Sequence, residues 1–259
     1  MSTDHPVWFI AAASSGFGHE IALAALKRAH VLALDVTSPP STIESVAAKV
    51  FEKHGRVDYL VIAAGFILEG AVEEVSRHTI AAFLPRLRAQ PVAPDGVRST
   101  IVTFGSLASW RGGAGFSIYA MTKACASSLA ESLRDELAPF QIRAATVEPG
   151  YFRTSFLNAG VMVNAQNRIE VYSDEATPTG QLRKKLLAVD DNQPGDVVKG
   201  CKALVDVLTG TGLAHGKDLP VRVVLGPDCE RVIRDKCSQR LGILDEWTDA
   251  IRSTDHDPS

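Results

Sequence analysis

The chain has 259 residues, of which 46% are hydrophobic, and this is enough for one domain with a sizeable buried core. A formal net charge of -3 provides no electrostatic attraction to nucleic acid or to anionic membranes. The four cysteines lack metal-ligand spacing and no apolar run reaches the roughly 18 residues of a membrane span, so we expect a metal-free cytoplasmic protein with neither nucleic acid nor membrane as partner.

The first predicted unit is a strand, a turn and a helix. The apolar run 7–13 is typical of a parallel strand buried on both faces, and 19–27 follows as a helix. The turn between them consists of Ser14, Ser15, Gly16, Phe17 and Gly18. Backbone N–H groups and serine hydroxyls at a helix N terminus can bind phosphate. We therefore predict that this turn holds the phosphates of a dinucleotide.

The next elements alternate between strand and helix. The run 31–37 is a predicted strand that carries Asp35 near its end. Ser41 and Glu44 have the spacing of a capping box, which predicts a helix to residue 53. A buried strand is predicted over 57–65.

Ser106, Tyr119 and Lys123 form the candidate acid–base site. Ser106 follows the predicted strand 99–104, and Tyr119 and Lys123 are four residues apart on a predicted helix that runs to residue 137. A free phenol has a pKa of about 10, and a nearby ammonium lowers it by stabilising the phenolate. The serine hydroxyl could then hydrogen-bond the substrate oxygen that the phenol protonates.

The remainder of the chain continues the same alternation. Strands are predicted over 142–147 and 219–225, and helices over 194–208 and 241–251. Residues 156–192 are irregular and polar, as expected for a loop that binds substrate. We expect one domain over 1–252 and a polar tail over 253–259.

These motifs resemble the classical short-chain dehydrogenase/reductase family over nearly the whole chain. In that family a strand-end serine, a tyrosine and a lysine are the catalytic set, and Ser106, Tyr119 and Lys123 match it in order and spacing. The chain is most similar to the retinol-dehydrogenase-like, NADP(H)-using branch. The resemblance implies a Rossmann-like, doubly wound α/β fold, a small-molecule substrate, and NADP(H) in preference to NAD(H).

The resemblance also implies further contacts with the cofactor. Tyr119 and Lys123 would touch the nicotinamide ribose, and Gly65 would lie beside the cofactor at the end of a strand. The backbone after a Pro-Gly pair and a following threonine would hold the nicotinamide carboxamide. The matching positions are Pro149, Gly150, Phe152 and Thr154. Thr154 also suits a helix cap, and the two roles are compatible.

Several positions depart from the family pattern on the cofactor side. Ala11–Ala12 replaces Thr-Gly in the first turn, and Ile62–Ala63 replaces two asparagines. One strand–helix unit before residue 31 is missing, so we expect the sheet to be one strand short and the cofactor to bind weakly. Part of the helix that usually forms the dimer face is also missing, which leaves a homo-oligomer possible without that face.

The missing unit leaves Asp35 with alternative roles. In the first, Asp35 closes the third strand and touches adenine, as the family's aspartate does. If the strand instead takes the vacant second position, the carboxylate lies near the ribose, repels a 2′-phosphate and favours NAD. A surface aspartate in a turn is the remaining alternative.

The sequence supports three functions. The first is NAD(P)-dependent reduction of a carbonyl, or oxidation of a secondary alcohol, on a small hydrophobic metabolite. The second is acid–base chemistry without redox, such as isomerisation, dehydration or ring closure. The third is a non-catalytic protein on an inherited scaffold.

Overall fold

The computed structural model describes residues 5–25, 30–63, 76–154, 169–172, 174–189 and 192–256. Within this part of the chain, five short strands form one sheet in the order β1-β2-β3-β4-β5, and every neighbouring pair is parallel. The strands are β1 Trp8–Ala11, β2 Tyr59–Ile62, β3 Ser99–Phe104, β4 Ile142–Pro149 and β5 Arg222–Leu225.

Helices connect these strands and cover both faces of the sheet. They are α1 Gly16–Ala25, α2 Pro40–His54, α3 Ser76–Ala89, α4 Ser117–Leu137, α5 Pro178–Val189, α6 Val197–Thr209, α7 Pro227–Glu246 and α8 Thr248–Arg252. None of the helices in the described ranges is long and apolar enough to cross a membrane.

Two apolar clusters lie on opposite faces of the sheet because successive strand residues point in opposite directions. Leu60 and Ile62 pack with α2, α3 and α4, whereas Val61 between them packs with α1 and α6. Phe83 of α3 is fully buried on the first face, and Leu204 of α6 is fully buried on the second. This arrangement confirms the predicted Rossmann-like three-layer fold.

The predicted strand over 31–37 is wrong. Residues 30–35 have no strand structure, and Val31 is 88% exposed. In doubly wound sheets the third strand pairs with the second and not with the first. Because the preceding strand–helix unit is missing, the segment has no neighbouring strand to supply hydrogen bonds. The described sheet therefore has five strands, which is fewer than expected.

Three helix predictions also need correction. Helix α2 begins at Pro40 and its N-cap is Pro39, with no side-chain cap, so the capping box of Ser41 and Glu44 does not form. Proline fits the first helical turn because the missing N–H has no helical partner there. The loop 156–192 contains α5, and the predicted last helix, 241–251, covers the end of α7, which begins at residue 227, and most of α8.

The turn after β1 contains a strained residue. Ala12 has φ 62, in the left-handed region that costs an L-residue roughly 1–2 kcal/mol. The turn is also tight, because a Cβ on Gly18 would lie 2.3 Å from the Ala12 carbonyl oxygen. The chain therefore keeps the turn's shape although it lacks the glycine that suits this conformation.

Replacing Ala12 with glycine should raise the free energy of unfolding by about 1 kcal/mol, because glycine adopts positive φ without the Cβ clash. Denaturant unfolding without added nucleotide measures the change. The matched control is Ala13→Gly in the same turn, which has no positive φ to relieve and should lose stability. An Ala12→Gly protein no more stable than the wild type would contradict the strain.

Candidate active site

The site lies where the parallel strands end, because their carboxyl ends meet at one edge of the sheet. Ser106 follows β3 and is only 6% exposed. It caps a short 3-10 turn, Leu107–Ser109, and its Oγ accepts a hydrogen bond from Ala108 N at 3.2 Å. The serine hydroxyl is therefore held in place at the edge of the sheet.

Tyr119 meets Ser106 from the first turns of α4. The two side chains form a hydrogen bond, which acts to lower the pKa of the phenol. Burial has the larger effect, and the pKa of Tyr119 is raised above its ordinary value of 10.0. The Tyr151 phenol lies close enough to raise the pKa of Tyr119 further. The phenol is thus a protonated group aimed at the serine.

Lys123 lies one turn after Tyr119 on the same helix. Its Nζ donates a hydrogen bond to the Phe104 carbonyl oxygen at 3.0 Å and lies 5.7 Å from the centre of the Tyr119 ring. Burial lowers the pKa of this amine from 10.5 to about 8. The structure therefore brings Ser106, Tyr119 and Lys123 together around the end of β3.

The predicted influence of Lys123 on the phenol is not seen. The pKa of Tyr119 is set by burial, by the bond with Ser106 and by Tyr151, and Lys123 is not among its causes. The physical reason is the direction of the lysine side chain, whose amine is bonded to the carbonyl oxygen at the end of β3. The amine lies beside the ring without bonding the phenol.

The predicted phosphate turn lies at the start of α1. Ser14 and Ser15 are exposed directly before the helix, and Gly16 opens it with φ 58. A Cβ on Gly16 would meet no atom within 4 Å, so the backbone faces open space there. Exposed hydroxyls and free N–H groups at a helix N terminus are what a diphosphate requires. These residues fit a dinucleotide.

The two predicted phenylalanines contribute differently. The Phe17 ring packs against Phe104 at 5.6 Å and against Phe152 at 5.2 Å between ring centres. The Phe152 ring also lies over Gly200, where a Cβ would come within 2.6 Å. Both side chains therefore belong to the core under the site, and only their backbones are left for a ligand.

The Pro149–Gly150 segment is tied to the start of α7. Gly150 N donates to Leu225 O at 2.8 Å, and Tyr151 N donates to Asp228 Oδ2 at 2.7 Å. A Cβ on Gly150 would lie 1.9 Å from Asp228 Oδ1, so no other residue fits without rearrangement. This backbone is consequently fixed beside the phosphate turn.

One predicted cofactor residue, Asp35, does not lie where it was predicted. Asp35 lies in an exposed turn and not at a strand end, and its Oδ1 accepts bonds from Thr37 N at 2.9 Å and Thr37 Oγ1 at 2.7 Å. These bonds lower the pKa of Asp35. The surface-turn alternative is therefore the one that the structure shows. Thr154 is half-buried at the end of a described range, and Gly65 lies outside the described residues.

Two polar residues at the site were not predicted from the sequence. Glu148 is fully buried and accepts a hydrogen bond from Trp110 Nε1 at 2.7 Å. Tyr151 stands near Tyr119, as its influence on that phenol shows. The signal available for Glu148 was a carboxylate at the end of a predicted buried strand. In the described part of the chain, no three His, Cys, Asp or Glu side chains form a group that could hold a metal.

Known proteins support the same architecture. An oxidoreductase named claN from Passalora fulva is 31% identical over 191 residues, covering 59% of this chain and 85% of the relative. The human dehydrogenase/reductase SDR family member 4 is 32% identical over 191 residues, covering 70% of this chain and 66% of the relative.

A short-chain dehydrogenase structure from Streptomyces avermitilis superposes with a TM-score of 0.76 at 29% identity, covering 98% of this chain and 100% of that one. A short-chain dehydrogenase from Burkholderia cenocepacia in complex with NADP, at 17% identity and a TM-score of 0.62, shares the fold and covers 95% of this chain and 99% of its own. The family model described as short chain dehydrogenase matches residues 22–162. The chain belongs to the short-chain dehydrogenase/reductase family.

Proposed function

We propose that the chain is an NAD(P)-dependent oxidoreductase that reduces a carbonyl, or oxidises a secondary alcohol, on a small hydrophobic metabolite. The observation that carries the proposal is the hydrogen bond between Ser106 and Tyr119 beside the buried amine of Lys123. Membership of the family supports the reaction class.

Each of the three side chains has one task in the proposed reduction. The Ser106 hydroxyl donates a hydrogen bond to the carbonyl oxygen and polarises it. Tyr119 donates its phenolic proton to the same oxygen, and Lys123 binds the nicotinamide ribose. When bound, the nicotinamide supplies the hydride. Oxidation of the alcohol reverses these transfers.

We assign the cofactor to the turn before α1 and the segment after β4, with NADP(H) preferred to NAD(H). The residues that would hold it are Ser14, Ser15, Gly16, Phe17, Gly18, Gly65, Tyr119, Lys123, Pro149, Gly150, Phe152 and Thr154. The exposed turn position of Asp35, with its carboxylate bonded to Thr37, supports this preference, since a strand-end carboxylate would repel a 2′-phosphate. The structure in complex with NADP shares this fold.

A hydrophobic substrate is supported by α5, which contacts the loop before Tyr119, and by the exposed apolar residues next to it. The contact between α5 and this loop is close, since a Cβ added to Gly115 would lie 3.0 Å from Leu182 Cδ2. Next to α5, Val171 is 63% exposed and Tyr172 is 51% exposed. Exposed apolar groups beside a site favour an apolar ligand.

A second candidate is acid–base chemistry without redox. The observation that favours it is the hydrocarbon at the end of β2, where Ile62 is 2% exposed and Ala63 packs on the core below the predicted cofactor position. The acid–base group is intact while the residues on the adenosine side offer few polar contacts. Nucleotide binding separates the two candidates.

Titration with NADPH and NADH should show binding of both, NADPH more tightly, with a dissociation constant for NADPH above about 1 µM because the adenosine side lacks a strand. Intrinsic fluorescence of the purified protein measures it. A submicromolar dissociation constant for NADPH would contradict the expected weak binding of the adenosine half of the cofactor. Proton exchange into a carbonyl substrate without nucleotide binding would favour the second candidate, and neither binding nor exchange would leave a non-catalytic protein.

Replacing Tyr119 with phenylalanine should lower kcat by about 10²- to 10⁴-fold, because the proton donor is lost while the ring remains. Turnover across a panel of carbonyl substrates with NADPH measures it, and thermal unfolding checks the fold. The matched control is Tyr59→Phe, whose phenol donates to Leu208 O at 3.3 Å away from the site and should leave kcat unchanged. Undiminished turnover would remove Tyr119 from its role.

Reduction should slow as the pH rises through about 8, the pKa to which burial lowers the Lys123 amine. Below this pH the charged amine makes charge-assisted hydrogen bonds to the Phe104 carbonyl oxygen and to the nicotinamide ribose, whereas above it the neutral amine makes weaker ones. The profile of kcat on either side of this pH measures the effect. Lys123→Arg stays charged and should lose the decline. A flat wild-type profile would show that the charge of Lys123 is not needed.

A further inference from the structure

We infer that Glu148 is a positioning residue that aligns Ser106 with Tyr119, acting through Trp110 and Ser127. The inference rests on the proposed function for its catalytic consequence and on the geometry of the buried carboxylate for its origin. Glu148 is fully buried near the end of β4, directly before Pro149.

The two carboxylate oxygens bond to both segments that carry the acid–base groups. Oε2 accepts from Trp110 Nε1 at 2.7 Å, and Trp110 directly follows the 3-10 turn that Ser106 caps. Oε1 accepts from Ser127 Oγ at 2.6 Å, and Ser127 lies one turn after Lys123 on α4. One carboxylate therefore joins the serine loop and the tyrosine helix to the same strand.

Ser109 links the same two segments a second time. Its Oγ accepts from Ser106 N at 3.1 Å and donates to the Lys123 carbonyl oxygen at 2.8 Å. Ser127 Oγ lies 2.9 Å from Ser109 Oγ, so the carboxylate also supports this link. The Ser106 backbone is thus held by Ser109, which lies in contact with the Ser127 hydroxyl that donates its one proton to Glu148.

The loop before Ser106 is packed tightly against this cluster. A Cβ on Gly105 would lie 2.5 Å from Ser127 Oγ, 2.9 Å from Ser109 Oγ and 3.1 Å from Glu148 Cγ. The residue before Ser106 therefore rests directly on these groups. A shift of the carboxylate would be passed to the serine.

Arg222 of β5 balances the buried charge. Its NH1 donates to Glu148 Oε1 at 2.5 Å, and its guanidinium lies 4.9 Å from the centre of the Trp110 ring. Its Nε donates to Glu131 Oε1 at 2.8 Å on the outside. Burying an ion pair gains little stability over hydrocarbon of the same volume, so stability alone does not account for its presence. The ion pair is accounted for by the single geometry in which it holds the Glu148 carboxylate.

The test is Glu148→Gln, which keeps the shape but replaces one accepting oxygen with a donor. It should lower kcat for carbonyl reduction about 10- to 100-fold and leave the NADPH dissociation constant within about threefold, since Leu225 and Asp228 hold the Pro149–Gly150 backbone independently of the carboxylate. Trp110→Phe, which removes only the N–H donor, should lower kcat similarly. The matched control is Glu131→Gln, which removes the outer partner of Arg222 and should leave kcat within twofold.

Coupling to Ser106 separates positioning from a merely structural role. In a Ser106→Ala background, Glu148→Gln should cost less than threefold in kcat, because no serine hydroxyl remains to be aligned. If the two losses multiply, or if Glu148→Gln keeps wild-type kcat, the inference is overturned.

A spectroscopic measurement tests the inference even if the wild-type protein shows no reductase activity. In protein labelled with ¹³Cζ tyrosine, the Tyr119 resonance, identified by its loss in Tyr119→Phe, reports the hydrogen bond with Ser106. Glu148→Gln should shift it in the same direction as Ser106→Ala, and adding both changes should shift it no further. An unmoved resonance overturns the inference, whereas a moved resonance in a protein without turnover refutes only the proposed function.

Discussion

The bond from Lys123 Nζ to the Phe104 carbonyl oxygen fixes the rest of the site. A buried amine must find an acceptor, and the end of β3 offers one whose strand continues into Ser106. This bond sets the rotation of α4 about its axis. Tyr119, one turn earlier, is thereby brought to the serine hydroxyl. One strand end thus organises both the acid–base pair and the helix that carries it.

The central part of this arrangement could be read from the sequence because its signals are local. An apolar run before Ser106 and a four-residue interval between Tyr119 and Lys123 define a strand and one face of a helix without any knowledge of distant contacts. The helix-favouring residues up to position 137 fix the length of α4, and the predicted end agrees with the structure. The glycine turn before α1 followed from the same kind of pattern.

The parts that sequence could not supply depend on partners elsewhere in the chain. The run 31–37 has the composition of a strand, but a strand exists only where a neighbour offers hydrogen bonds. Glu148 occupies the end of an apolar pattern, and nothing near it in sequence shows that Trp110, Ser127 and Arg222 converge on it. Likewise, the sequence does not show that Lys123 bonds the Phe104 carbonyl oxygen and not the Tyr119 phenol, because this choice depends on how α4 packs against β3.

Strand β1 lies at one edge of the described sheet, and this position shows how such a fold can lose a strand and keep its active site. Loss of an edge strand removes one ladder of backbone hydrogen bonds, whereas loss of a central strand would remove two ladders and split the sheet. Here β3 and β4, whose ends bear Ser106 and the Pro149–Gly150 segment, each retain two neighbours. Sequence erosion on the nucleotide side could therefore proceed inward without disturbing the strands that support proton transfer.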